Sequence, residues 1–158
     1  MEIGDATSAD ARAIAQLGYV IHERNFARRP DWFKPPSVDD CVAHYAAWLG
    51  RRDVIGYIAT DHDALIGYVL TRIVQRSETP VTWAQVIVEV RELGVRASAQ
   101  RSGVGHALFG AVRNLATRES ASLVTLTNWE FNGEAHCFFE AEGVRLTRRH
   151  MSMTWPQH

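Results

Sequence analysis

Lysine is nearly missing from this chain: Lys34 is the only one among 17 basic residues. Schiff-base or lysine-nucleophile chemistry therefore has a single candidate, set beside prolines. Cysteine is also scarce. Cys41 and Cys137 stand far apart and make no disulfide framework, so reduced thiols and a cytoplasmic setting are expected. Neither charge sign is in excess, with 17 Lys plus Arg against 18 Asp plus Glu. That balance argues against a nucleic-acid partner, which usually meets a basic surface. The apolar runs are too short to span a bilayer, so no membrane partner is expected. The opening Met1 to Asp5 is acidic and lacks the apolar stretch of a secretion signal. Seven histidines are present, but none is spaced with a carboxylate or cysteine as a zinc site requires, and no metal is expected. What remains is an ordinary composition, 46% hydrophobic and 22% charged over 158 residues. That predicts one domain, residues 1–158, with a core needing no staples.

The pattern along the chain predicts a helix from about Thr7 or Ser8, with Ala11, Ile14, Ala15, Leu17 and Gly18 on one face. A Pro-rich loop, Arg29 to Pro36, leads to a second helix. That helix begins at Ser37 with Asp40 three residues on, an approximate capping box. Its inner face is expected to be Cys41, His44, Tyr45, Trp48 and Leu49. A hairpin follows, Val54 to Thr60 and Ala64 to Ile73, around Asp61-His62-Asp63. A strand from about Val81 to Val95 carries apolar groups on both faces at Val86, Ile87, Val88 and Val90, the pattern of a central strand. A helix after the loop at 96–105, a short strand Leu123 to Thr127, a helix Asn132 to Glu142 ended by Gly143, and a final strand Val144 to Trp155 complete the chain. The order is strand, helix, helix, three strands, helix, strand, helix, strand. It predicts an α/β sandwich of two or three layers.

The most informative stretch is Gln100-Arg101-Ser102-Gly103-Val104-Gly105-His106. Its two glycines let backbone approach a ligand, and they open a helix whose first amides lack partners. Free amides and the helix dipole favour an anion there. The next acid along that helix is Glu119, at its far end, while Arg96 and Arg101 flank the loop. A Walker loop is excluded because His106-Ala107 follows Gly105. A dinucleotide fingerprint is excluded because Leu108 stands where its third glycine is required. A plain tight turn into the helix is the competing reading of the same glycines.

Gln100 to Gly105 resembles the Q/R-x-x-G-x-G/A motif of the GNAT superfamily of acyl-CoA-dependent N-acetyltransferases. The strand before it, and the segment Asn132-Gly133-Glu134-Ala135-His136-Cys137-Phe138-Phe139-Glu140-Ala141-Glu142-Gly143-Val144, resemble that family as well. The resemblance implies an α/β (α+β) fold: a mixed, mostly antiparallel central sheet with helices on both faces and splayed central strands. It implies acetyl-CoA as co-substrate, with Gln100, Arg101, Ser102, Gly103, Val104, Gly105 and His106 around the pyrophosphate. Leu93 and Val95 would pair with the pantetheine, an amide at Leu93 or Gly94 would polarise the thioester carbonyl, and Asn132 would face the pantetheine.

The implied reaction is direct attack of a primary amine of a small molecule or peptide on the thioester. A base must take the amine's proton. Glu89 is the first candidate, six residues before Val95 and expected on one face with Ile87, Leu93 and Val95; an ion pair with Arg91 is its competing role. Glu92 is the second, on the opposite face unless a bulge intervenes. Trp32 and Phe33 in the inter-helix loop, and Trp129, are expected to border the acceptor. An acidic rim of Glu89, Glu92 and Glu130 would suit a cationic amine. Phe139 stands where many members have a tyrosine acid, so no acid is assigned. That departure keeps open a non-catalytic acyl-CoA sensor on the same fold. A homodimer through the final strands is a further expectation.

Overall fold

The structure is a computed structural model that describes residues 1–155. Five strands form one sheet in the order β1-β2-β3-β4-β5: β1 Glu2–Ala6, β2 Val54–Asp61, β3 Ala64–Arg76, β4 Gln85–Val95 and β5 Leu123–Leu126. The first four pair antiparallel, and β5 runs parallel to β4. The helices are α1 Ala11–Arg28, α2 Val38–Leu49, α3 Val104–Arg118 and α4 Gly133–Ala141. The chain divides into two compact units, 1–127 and 128–158.

In the first unit, the opening strand is β1, an edge strand whose side chains are mostly exposed. Its stability comes from backbone pairing with β2. Thr7 and Asp10 then hold each other: Asp10 Oδ2 accepts from the Thr7 amide at 2.8 Å and from its hydroxyl at 3.0 Å. One turn of 3-10 helix, Ser8–Asp10, precedes α1. The α2 start is as expected, with the Asp40 amide donating to Ser37 Oγ at 3.3 Å. In the β2–β3 hairpin, His62 and Asp63 both take positive φ, 47° and 63°, a two-residue turn that matches strand twist.

One face of the sheet carries α1 and α2, and its core joins Ala11, Ile14, Ala15, Tyr45, Tyr68 and Leu70. The other face carries α3, through Val104, Leu108, Val112 and Leu115 at helical spacing. Leu17, expected inside, is half-buried, and His44 of the expected inner face of α2 is exposed. The helix turns that side chain to solvent while Tyr45 beside it goes in.

The register of β3 on β4 shifts once. Leu70 lies opposite Glu92 and Thr71 opposite Val90, so Arg91 has no residue across from it. This β-bulge reverses the alternation of β4 beyond Val90. Glu89, opposite Arg72, and Glu92, opposite Leu70, therefore share the α1/α2 face, with Gly94 opposite Tyr68. Leu93 and Val95, opposite Val69 and Gly67, are on the α3 face. The expectation that Glu89 shares a face with Leu93 and Val95 is thus corrected, although Ile87 does share it.

In the second unit, α4 ends as expected. Gly143 has φ +87°, its amide donates to the Glu140 carbonyl at 2.9 Å, and the Val144 amide donates to the Phe139 carbonyl at 2.9 Å. That pair of bonds is a Schellman motif. The final strand expected over Val144 to Trp155 is not formed; those residues have no regular structure. Their apolar groups at Leu146, Met151, Met153 and Trp155 are exposed, so no buried face fixes a strand register there.

Candidate active site

Strand β5 pairs with β4 only from Ile87, opposite Leu123, to Val90, opposite Leu126. Beyond Val90, β4 runs on through Arg91 to Val95 with no strand on that side among the described residues. Leu93 and Val95 are half-buried and Gly94 is buried. This overhang supplies backbone groups that an extended ligand can pair with.

The strand leads into the glycine loop. The Arg96 guanidinium donates to the Leu65 carbonyl at 2.6 Å and its amide to the Ile66 carbonyl at 2.8 Å. Arg96 thus ties the loop to β3 rather than standing over an anion. Ser102 Oγ donates to the Ala99 carbonyl at 2.7 Å, and Gln100 Nε2 to the Val95 carbonyl at 3.4 Å. Arg101 and Gly103 have positive φ, 61° and 89°. A Cβ on Gly103 would meet nothing within 4 Å. Its glycine therefore answers a backbone conformation, not a lack of room. Gly103 caps α3 without a side-chain bond, and the first turn holds no acid. Val104 is buried and anchors the turn, Gly105 is half-buried, and Arg101 and His106 are exposed. Left-handed residues at Arg101 and Gly103, leading into a helix start without an acid, make a concavity suited to phosphate oxygens.

The two strand glutamates are held differently. Glu89 sits between two guanidinium groups: Arg91 Nη1 lies 3.0 Å from Oε1 and Arg72 Nη2 lies 3.1 Å from Oε2. Arg91 also spans toward the Trp48 ring of α2 at 5.9 Å. Glu92 meets two phenols and an imidazole. The Tyr45 hydroxyl lies 2.9 Å and 3.0 Å from its two oxygens. The Tyr68 hydroxyl donates to Oε1. His22 Nε2 is 3.6 Å from Oε1 and 2.7 Å from the Tyr45 oxygen. Burial and the Glu92 charge push both tyrosines well above their usual range, so both stay un-ionised. His22, Tyr45 and Tyr68 went unread as a group in the sequence. Tyr45 was legible as an inward residue of α2, but no spacing rule links three elements to one carboxylate.

Gly18 explains how α1 approaches this group. A Cβ there would lie 2.6 Å from the Tyr68 hydroxyl and 3.2 Å from Glu92 Oε1. Cys41 of α2 is near enough for the Glu92 charge to help burial raise its thiol. Trp32 is exposed, and both its amide and that of Phe33 donate to the Arg29 carbonyl. Arg29 lies 6.0 Å from the Trp32 ring centre and makes a paired bond to Asp31 at 2.8 Å.

Within the second unit, Trp129 stacks on Phe131 with ring centres 5.8 Å apart. Asn132 precedes α4; its amide donates to the Trp129 carbonyl at 2.9 Å, and its own carbonyl accepts from Asn128 Nδ2 at 3.2 Å. Phe138 and Phe139 are half-buried and meet edge to face. Glu130 is exposed. Among the described residues, no group of three or more His, Cys, Asp or Glu is placed to hold a metal. No helix among them is long and apolar enough to cross a membrane.

Solved structures share this architecture. A tetramutant of the BH1408 protein from Bacillus halodurans is similar at TM-score 0.91 and 22% identity, over 98% of this chain and all of that one. A possible acetyltransferase from Clostridium difficile 630 matches at 0.77 and 17%, over 99% and 98%. The aminoglycoside N-acetyltransferase AAC(6')-Iy in complex with CoA matches at 0.74 and 17%, over 98% and 93%. At these identities the likeness concerns the fold. A search of curated proteins gave no significant match. The model of the acetyltransferase (GNAT) family matches residues 19–143, most of the chain. With the glycine loop, the overhanging strand and that match in agreement, the chain belongs to the GNAT acetyltransferase family.

Proposed function

We propose that this protein transfers an acetyl group from acetyl-CoA to a primary amine of a small cationic molecule, by direct attack within one ternary complex. The observation that carries this reading is the overhang of β4 beside a helix start bare of acids. An acyl-CoA is an extended amide chain with a pyrophosphate at one end, and both parts find matching donors in the same unit. Amides from Arg101 to His106 would hold the pyrophosphate, with Gln100 and Ser102 shaping the loop. Leu93 and Val95 would pair with the pantetheine, and the amide of Leu93 or Gly94 would stabilise charge developing on the carbonyl oxygen. The family match, running across both units, supports a single acetyltransferase domain.

The thioester supplies an activated acyl group; the chain has to supply a free-base amine. Glu92 is better placed than Glu89 to accept the amine's proton. It lies past the last residue that β5 pairs, whereas Glu89 lies opposite Thr125 with both oxygens facing guanidinium groups. The acidic group on β4 and the likeness to an aminoglycoside N-acetyltransferase favour a small cationic acceptor. Trp32 and Phe33 remain proposed acceptor contacts.

The test begins with thermal unfolding in acetyl-CoA, CoA and ATP at equal concentration. A ligand at a hundred times its dissociation constant adds about 2.7 kcal/mol, roughly 5–10 °C for a domain of this size. The expected result is a shift with both CoA species and none with ATP. A panel of amines, read by thiol release, then tests transfer. Phe139, in place of a tyrosine acid, favours the second reading, a non-catalytic acyl-CoA sensor. Tight CoA binding with no thiol release from any amine would select it.

A further inference from the structure

The cluster at Glu92 contains more than a base needs. Two tyrosine hydroxyls enclose the carboxylate, and Tyr45 and Tyr68 are almost wholly buried, at 3% and 0% exposure. Neither phenol therefore offers a proton an outlet through its own surface. Two members reach the surface: the Glu92 side chain, 20% exposed at the carboxylate the amine would approach, and the His22 side chain, 25% exposed. Its Nε2 touches the Tyr45 oxygen at 2.7 Å, and the same hydroxyl contacts both Glu92 oxygens. The groups that face His22 are Tyr45 from α2, Tyr68 from β3 across Gly18, and Glu92 from β4, with Cys41 of α2 near the carboxylate. Among the described residues, His22 is the one ion-pair partner of Glu92.

We propose that Glu92, Tyr45 and His22 form a proton-transfer chain that takes the acceptor amine's proton from β4 to the solvent edge of α1. The proposal rests on the acetyl-transfer reading above. In the step, the ammonium N–H bond breaks and a Glu92 O–H bond forms. Tyr45, whose hydrogen points at Glu92 while that carboxylate is ionised, then turns it to His22 Nε2 and gives it up as Glu92 passes a proton to the Tyr45 oxygen. This needs a neutral His22 with its hydrogen on Nδ1 at that moment. The imidazolium releases its Nδ1 proton to water, and exchange through water returns the imidazole to the Nδ1–H form. Glu92 ends ionised and Tyr45 neutral, so no charge is left behind. Tyr45 can serve as a neutral carrier because its phenol stays un-ionised between burial and the Glu92 charge. Tyr68 donates to the same carboxylate but has no exposed surface, so it is a positioning residue with no outlet.

The experiment uses the full chain and an amine that the wild type acetylates. Tyr45→Phe and His22→Gln are each expected to lower kcat tenfold or more at pH 7, with KM for acetyl-CoA within twofold. The double variant should be no slower than the worse single one, because one broken link stops the chain. Added imidazole should restore much of the His22→Gln rate and none of the Tyr45→Phe rate. A CoA-induced thermal shift in each variant verifies folding, and half-exposed His22 keeps the test open should Tyr45→Phe unfold. A second readout needs no turnover: ¹⁵N NMR of the His22 ring, expected to titrate differently in Tyr45→Phe and Glu92→Gln than in the wild type. Unchanged kcat in both variants, or a His22 titration identical in all three proteins, would overturn the relay while leaving acetyl transfer intact. A wild type that acetylates no amine would overturn the acetyl-transfer reading, and the relay's task with it.

Discussion

In the paired half of β4, from Gln85 to Val90, Glu89 lies opposite Arg72 with β5 alongside. In the overhanging half, Glu92 lies opposite Leu70 and meets two phenols and an imidazole. Both carboxylates are on the same face of the same strand, three residues apart. The difference is in what answers the charge. Two guanidinium groups answer Glu89, and such pairs fix geometry. Neutral hydroxyls answer Glu92, and they can exchange protons with it. The acid of a strand is thus assigned by its partners and by where pairing stops, not by its distance from the glycine loop.

The largest break in this comparison should come from Glu92→Gln. Removing a positioned proton acceptor typically costs on the order of 100-fold or more in rate. That loss is expected in kcat near neutral pH, with the CoA-induced thermal shift intact. Equal turnover in the variant would remove Glu92 from the reaction.

Gly18→Ala is next. In an open helix, alanine for glycine gains about 1 kcal/mol. Here the added carbon would meet the Tyr68 hydroxyl at 2.6 Å, and overpacking costs about 1–3 kcal/mol. The net expectation is a loss of about 1 kcal/mol in denaturant unfolding, accompanied by lower activity as the hydroxyls shift. A more stable and fully active variant would show that the network tolerates displacement.

Glu89→Gln should move stability more than rate. Glu89 is a half-exposed partner of two arginines, so its removal should cost up to about 1 kcal/mol. That is a fall in Tm of roughly 2–4 °C. A kcat within threefold of wild type is expected. A hundredfold loss instead would exchange the roles given to the two glutamates.

The smallest signal is spectroscopic. Of the four tyrosines, Tyr45 and Tyr68 have phenols raised above their usual value of 10. Below pH 10 both native and unfolded phenols hold their protons, and the stabilisation is fully present. Above it the unfolded chain ionises first, so stability falls as pH rises. Absorbance titration of the native protein should leave two tyrosines un-ionised near pH 10. In Glu92→Gln they should move part of the way back, because burial is the larger cause. Four phenols titrating together near pH 10 in the folded protein would contradict the arrangement.

Much of this molecule is legible in the chain. The Ser37 cap, the hairpin about His62, the α3 face at Val104, Leu108 and Val112, and the Gly143 stop each follow from local chemistry. So does the loop at Gly103, because a left-handed residue at a helix start announces itself as glycine. Three features were not legible. One is the bounds of the opening strand: the element order begins with a strand, but β1 is an edge strand held by its backbone, so its side chains carry no alternating signal to place it. The apolar residues after Val144 alternate irregularly and the structure leaves them exposed, where nothing turns pattern into strand. The set His22, Tyr45, Tyr68 and Glu92 draws on four elements, and only their packing brings it together.

Arg91 draws attention to a distinction between the identity of a residue and its presence. Its side chain is exposed and bonds only at the surface, so exchanging it for another residue should cost little of the fold. Deleting it would leave Val90 followed directly by Glu92, opposite Thr71 and Leu70, so β4 would return to plain alternation with every other residue on the face it has now. What the deletion takes away is the bend and added twist of a bulge where pairing with β5 stops. The extra unit thus serves the course of the strand and not its count of inward and outward residues.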